Sequence, residues 1–175
     1  MNAPQRINFS RARLTSITPM ANPMEFGSDL ATLVRGQRIA HLATLRQGAP
    51  MASMTLYLPE AGFAGFLVHV SRLAWHTQDM GQDPHVALSI AQTDDGRANP
   101  FTLMRVSIRG KAAQLQGNQP DLRASWLKRF PEQKINFELP DFSFWRIRPR
   151  DARFVAGFGR IHNLSASELA ACSNS

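Results

Sequence analysis

The stretch HVSRLAWHTQDMGQDP, residues 69–84, concentrates groups that could do chemistry. It follows an apolar run, residues 63–68, and leads into a segment with helical spacing. A strand that hands over to a helix offers unpaired backbone N–H groups and a positive dipole end, which together favour an anion. Ser71 adds a hydroxyl at that junction, and His76, about one turn inside, adds a ring N–H or a charge. Arg105 and Ser107 share the polar face of a later strand, and arginine grips phosphate through two N–H donors. Ser53 leaves the apolar face of an earlier strand in the same way. These residues predict a phosphate-sized anion held by Ser71, His76 and Arg105. Plainer readings compete with that one. A serine at a helix start caps it, a histidine on an inner stripe packs, and an arginine on a strand faces solvent. Only their joint placement carries the site.

Other chemistries lack their signatures. The five histidines fall on different predicted elements, with no HExxH or CxxC spacing, so no metal site is expected. No Gly-rich phosphate loop of the Walker or dinucleotide type and no G-x-S-x-G elbow is present. No general acid or base stands out beyond His162, so catalytic residues stay unassigned.

The elements that must position these groups come next. The chain has 175 residues, 43% of them hydrophobic, which suits one domain with a sizeable core. It holds no apolar run of membrane-spanning length and no secretory pattern at its start. The single cysteine, Cys172, excludes a disulfide within the chain, and a cytoplasmic setting is expected. The net charge of +7 is spread along the chain, which argues against nucleic acid as a partner. Residues 1–22 read as a flexible arm, 23–164 as the folded domain, and 165–175 as a short C-terminal helix and tail.

The segment NPMEFGSDLATLVRGQ has helical spacing, with Ser28 a cap and Gly36 a stop. RIAHLATL, MASMTLYL and FAGFLVHV follow as strands at hairpin spacing. In MASMTLYL the alternation places Ala52, Met54, Leu56 and Leu58 on the apolar face and Ser53, Thr55 and Tyr57 opposite. Residues 71–82 are predicted as a helix capped by Ser71. DPHVALSIAQ and FTLMRVSIRGKAAQL are further strands, QPDLRASWLKRFP a polar helix, and FSFWRIRP and ARFVAGFG the last two strands. Six or seven strands with few helices predict a mainly β, closed or partly closed antiparallel barrel.

In this order the segments resemble the pyridoxamine 5′-phosphate oxidase-like, FMN-binding split-barrel family, and within it the haem-utilisation branch. The resemblance rests on LATLRQGAPMASMTLY, SRLAWHTQDMGQDPHVALSI, RVSIRGKA, LPDFSFWRIRP and ARFVAGFGRI. It implies a Greek-key split barrel, a homodimer with FMN at the subunit interface, and a small-molecule substrate. His76 falls where the oxidases place a phosphate-binding lysine, and Trp75 where they place an arginine. Val70 and Ser71 match a Thr-Asn pair, Arg105 a glutamine that contacts the flavin, and Ser53 a phosphate-gripping arginine. Arg160 and His162 resemble an Arg-Leu-His segment on the substrate side. Leu58 replaces the lysine that takes the vitamin phosphate, and Val155 replaces a flavin-flanking tryptophan, which argues against oxidation of pyridoxamine phosphate. The haem-utilisation pattern S-x-L-A-x-H-T stands here as Ser71, Leu73, Ala74, His76 and Thr77. Fuller members of that branch carry a C-terminal domain that this chain is expected to lack. The implied function is an FMN-dependent oxidoreductase. The alternative is a non-catalytic flavin- or haem-binding module for storage or sensing.

Overall fold

A computed structural model describes residues 23–174. The expected arm, residues 1–22, lies outside the described residues. Helix α1 (Pro23–Gly36) precedes strands β1 (Ile39–Arg46), β2 (Ala49–Leu56), β3 (Leu58–Pro59) and β4 (Phe66–Ser71). Helix α2 (Trp75–Gln82), β5 (His85–Ala91), β6 (Arg105–Gln114) and α3 (Pro120–Arg129) follow. A 3-10 segment, Pro131–Glu138, leads into β7 (Phe142–Val155), β8 (Ile161–Ser165) and α4 (Ala166–Cys172). Every strand pairing is antiparallel, in the order β2-β1-β5-β6-β7-β4-β3, with β8 also on β7. The result is the expected split half-barrel. Among the described residues no helix is long and apolar enough to cross a membrane.

Strand β7 makes the split. Its first half pairs with β4, and its second half pairs with β8. The sequence reads as two strands here, and the structure has one of 14 residues. Pro149 and Arg150 look like a break, but a bulge absorbs them: Arg109 faces Asp151 and Gly110 faces Pro149. Gly110 is required there, since a Cβ would meet the Arg148 carbonyl oxygen at 2.3 Å. The residues read as the end of the last strand, Ala156 to Gly159, instead turn the chain. Gly157 and Gly159 have φ of 112° and 79°, which suits glycine.

Three other expectations change. Ser28 lies inside α1, which already runs from Pro23. Helix α2 starts at Trp75, and its N-cap is Ala74. In β2 and the residue that follows it the inner face is reversed: Thr55 and Tyr57 are buried, while Met54 is 63% exposed. Tyr57 can go inside because its hydroxyl donates to the Val34 carbonyl at 2.6 Å, satisfying a carbonyl in the last turn of α1. Its phenol is pushed up by burial, which keeps the donor protonated.

The main core fills the half-barrel with Leu42, Phe66, Val68, Leu88, Val106, Ile108 and Phe154, under α1 and α4. Leu169 and Cys172 of α4 belong to this same cluster, and a capping box between Ser165 and Glu168 starts that helix. A second, aromatic cluster forms where α3 meets β4 and β7: Trp126, Phe130 and Phe144, with Leu56, Leu58 and Phe137 against it.

Removing the Tyr57 hydroxyl strands a buried carbonyl. Tyr57→Phe is expected to lower stability by about 1–2 kcal/mol. Urea unfolding should show a lower midpoint with an unchanged slope.

Candidate functional site

Strand β4 alternates, so Val68 and Val70 point into the core while His69 and Ser71 point the other way. Among the described residues it has no strand partner beyond Leu67 on the β3 side, and a cavity of about 550 Å³ opens between its end and β2. Met54, Thr55 and Leu56 of β2 form one wall; His69, Val70 and Ser71 of β4, with Ala74 and His76, form another. Glu132, Gln133 and Asn136 of the 3-10 segment, Phe142, and Arg38 and Ile39 complete it.

Helix α2 is held in place from below. Asp79, 1% exposed, accepts from the Thr44 hydroxyl and from Arg46, each at 2.9 Å. The Arg46 guanidinium also lies 4.2 Å from the centre of the Trp75 ring. This clamp fixes where His76 points. The His76 Nε2 is buried without a hydrogen-bond partner, as is Nδ1 of His69. Burial draws the His76 imidazole below its ordinary range, opposed only by the Asp79 charge. His69 falls further, to about 4, through burial and then the Arg123 charge. Both rings are neutral at neutral pH. The sequence reading paired a charged His76 with an anion; within the chain, desolvation wins.

Ser71 is already engaged. Its hydroxyl donates to the Asp141 carboxylate and accepts from the Leu73 N–H at 3.0 Å. It therefore ties the turn ahead of α2 and does not cap the helix, whose start carries no side-chain cap.

The structure brings Val70, Ser71 and His76 to one cavity. Leu73 and Trp75 are exposed beside it on the approach to α2, at 71% and 55%. Ser53 sits half-buried on β2, opposite Leu42. Arg105 and Ser107 do not line the cavity. Val106 and Ile108 take the inner face of β6, so alternation sends Arg105 and Ser107 outside, with β7 between them and β4. The Arg105 guanidinium donates to the carbonyls of Leu103 and Phe101 at 3.2 and 3.4 Å. Arg160 bonds the Ala156 carbonyl within the β7–β8 turn. His162 stacks on Phe26 of α1, with ring centres 4.0 Å apart. Leu58 packs on the aromatic cluster, so its position offers hydrocarbon where a phosphate would need a cation.

His69, which the sequence reading left out of the site, also lines the cavity. Its signal was its place on the outward face of β4 between two buried valines. The rings around it come from residues 126–144, too far along the chain to be read beside it.

Comparison with known proteins adds four findings. The family model "CREG, beta-barrel" matches residues 29–170. The chain is 31% identical over 133 residues to the chloroplastic non-canonical heme oxygenase HOZ of Arabidopsis thaliana, covering 74% of this chain and 40% of that protein. It is 24% identical over 138 residues to the heme oxygenase HutZ of Vibrio cholerae, covering 76% of this chain and 77% of HutZ. A solved heme binding protein from Mycobacterium smegmatis matches with a TM-score of 0.73 at 27% identity, over 83% of this chain and 60% of that one. The chain thus spans less than half the length of its plant relative.

The lowered pKa of His69 links folding to pH. The unfolded chain takes up this proton near pH 6.5 and the folded one only near 4, so stability is full above 6.5 and falls as pH drops towards 4. His69→Phe should flatten that slope in urea titrations between pH 7 and 4.5. An unchanged slope would mean that the ring is not buried neutral.

Proposed function

The chain belongs to the CREG β-barrel family, and from that premise we propose that the cavity between β2, β4 and α2 receives haem. One observation carries the reading: two neutral imidazoles, each with a buried nitrogen that has no partner, line the same cavity. A neutral imidazole is a metal ligand, and an unpaired nitrogen costs free energy until something meets it. The remaining walls suit an amphipathic macrocycle. Ile39, Met54, Leu56 and Phe142 offer apolar surface, while Gln133, Asn136 and Arg38 offer donors. Bound haem would supply an iron centre for dioxygen or electron chemistry. In this chain His69 and His76 would hold the group, and the Asp79 clamp would keep His76 aimed. That two curated relatives are named as haem oxygenases, and a solved one as a haem-binding protein, supports the reading.

A flavin reading keeps one specific support. Helix α2 begins without a side-chain cap, and a free helix start accommodates a phosphate. FMN would then need cations beyond Arg38, whose charge is taken up by Glu132. A homodimer that brought Arg105 of a second copy to the cavity would supply one. In that arrangement the protein is an FMN-dependent oxidoreductase with the flavin between subunits.

Titration of the purified chain with hemin is expected to give a saturable Soret band at one haem per chain. His76→Ala or His69→Phe should shift that band and weaken binding about tenfold or more, the scale of losing one good contact. If both variants bind hemin as the parent does, this cavity is not the haem site. A parallel FMN titration, with flavin fluorescence as the readout and Arg105→Ala as the variant, tests the second reading. Loss of the Soret band with ascorbate in air would extend the haem reading from binding to turnover.

A further inference from the structure

A groove of about 560 Å³ lies on the outer face of the sheet and crosses β2, β1, β5, β6 and β7. Leu42, Leu88 and Ile108 point into the core, so alternation sends Ala43, Ala87 and Arg109 to this outer face. Pairing sets them in one row: Ala43 beside Ala87, Ala87 beside Arg109, and Arg109 beside Asp151. A second row runs from His85 to Lys111 to Arg148. The groove therefore has two unlike halves. On β2, β1 and β5 it is lined by Pro50, Leu45, Ala43 and Ala87. Alanines at its centre and the bare backbone of Gly110 keep this floor recessed. The half on β6 and β7 is cationic. Arg109 and Arg150 both bond the Asp151 carboxylate, at 2.6 and 2.9 Å, which leaves one of their two charges uncompensated. Lys111 and Arg148 have no carboxylate in ion-pair contact among the described residues. Asp83 is held by the His85 ring at 2.7 Å and lies outside the lining. Among the described residues no acidic side chain, and no Phe, Tyr or Trp, lines the groove.

Each feature narrows the ligand. Hydrocarbon at one end and uncompensated cations at the other select an amphiphile with an acidic head. With no Phe, Tyr or Trp in its lining, the groove gives a flat ring nothing to stack on, so a flexible chain fits it better than an aromatic body. A bilayer surface is met by protruding apolar side chains, whereas this floor is recessed between the stems of Lys and Arg, which suits a single chain. Three strand spacings, about 14 Å, separate β2 from β6, and an extended chain of about twelve carbons spans that distance. We propose that this groove binds a free long-chain fatty acid. The carboxylate meets Lys111 and Arg148, and the chain lies over Ala87 and Ala43 towards Leu45 and Pro50. The inference does not rest on haem or flavin in the cavity beside His76, whose lining the groove does not share.

Calorimetry with dodecanoate on the full chain, at pH 7.5 and below the concentration at which it forms micelles, tests the assignment without a cofactor. Saturable binding is expected at one ligand per chain. Decanoate should bind about tenfold more weakly, the scale of two methylenes withheld from an apolar floor. Decyltrimethylammonium, with the same tail and the opposite charge, should show no saturable binding. Lys111→Gln combined with Arg148→Gln, both at exposed positions, should weaken dodecanoate about fivefold, the scale of an exposed ion pair. Ala87→Leu raises the floor and should weaken it about tenfold. Because the ligand series is read on the unaltered protein, a variant that fails to fold does not stall the test. No saturable binding, equal affinity for the cationic amphiphile, no dependence on chain length, or binding that every folded variant leaves unchanged would each overturn the proposal. So would a chain that floats with phosphatidylglycerol vesicles, or that sediments as a dimer split by Ala87→Leu, while taking up no free dodecanoate. Binding of dodecanoate by a protein that takes up neither hemin nor FMN would uphold it while removing the reading of the cavity beside His76.

Discussion

Between β2 and β4 the sheet has almost no ladder. Leu58 and Pro59 pair with Leu67 and Phe66, and the pairing stops there. Proline has no N–H to give, so it ends a ladder well. From Val68 to Ser71, β4 is hydrogen-bonded, among the described residues, to β7 alone, and they leave its other edge open. A full barrel would have sealed this edge. The cavity beside His76 exists because this one does not. The 3-10 segment, the start of α2 and the end of β2 all converge on the gap and contribute side chains to it. Because β4 alternates, the same strand sends valines into the core and His69 and Ser71 to its other face. The site and the core are therefore two faces of one strand.

Holding that strand end open requires support from both sides. On one side, Asp79 draws α2 onto β1 through Thr44 and Arg46. On the other, Trp126, Phe130 and Phe144 bind α3 and β7 into a second cluster. Arg129 then links that cluster to α1 by donating to the carbonyls of Arg35 and Gln37 at 3.0 and 2.5 Å. Arg146 and Glu60 make a two-pronged ion pair at 2.8 and 2.7 Å, tying β7 to the turn after β3. Gly65 sits beneath that pair, with the Glu60 Oε2 at 2.1 Å from where a Cβ would lie. These contacts brace the turn that precedes the open edge.

Much of this was legible in the sequence, and the misses have physical causes. Period-two patterns located β2 and β6, and apolar runs bounded by turn residues located β1 and β4, because burial leaves a trace along the chain. The pattern in β2 showed that its faces differ but not which one faces inward. Tyr57 decided that, through a partner on α1 that no local window contains. The break read within β7 was a bulge, visible only once β6 supplied the opposing glycine. At the site, the junction after β4 was readable from its residue types, and Val70, Ser71 and His76 do share a cavity. Arg105 and Ser107 were correctly placed on the polar face of β6. What the sequence could not show is that this face turns away from the gap. His69 was missed because its surroundings are assembled from α3, the 3-10 segment and β7, more than 50 residues downstream.

Charge settles how the cavity beside His76 differs from the anion trap that its composition invites. The chain carries a formal +7, yet many of its arginines are bound locally. Arg38, the arginine that lines the cavity, is paired with Glu132 at 2.5 Å, and Arg46 beneath α2 is paired with Asp79. What remains facing the space is imidazole held neutral by burial. For a phosphate to settle there, it would have to charge His76 against that desolvation, or recruit a cation from outside the chain. A metal-centred ligand makes neither demand, since it takes the neutral ring as it stands.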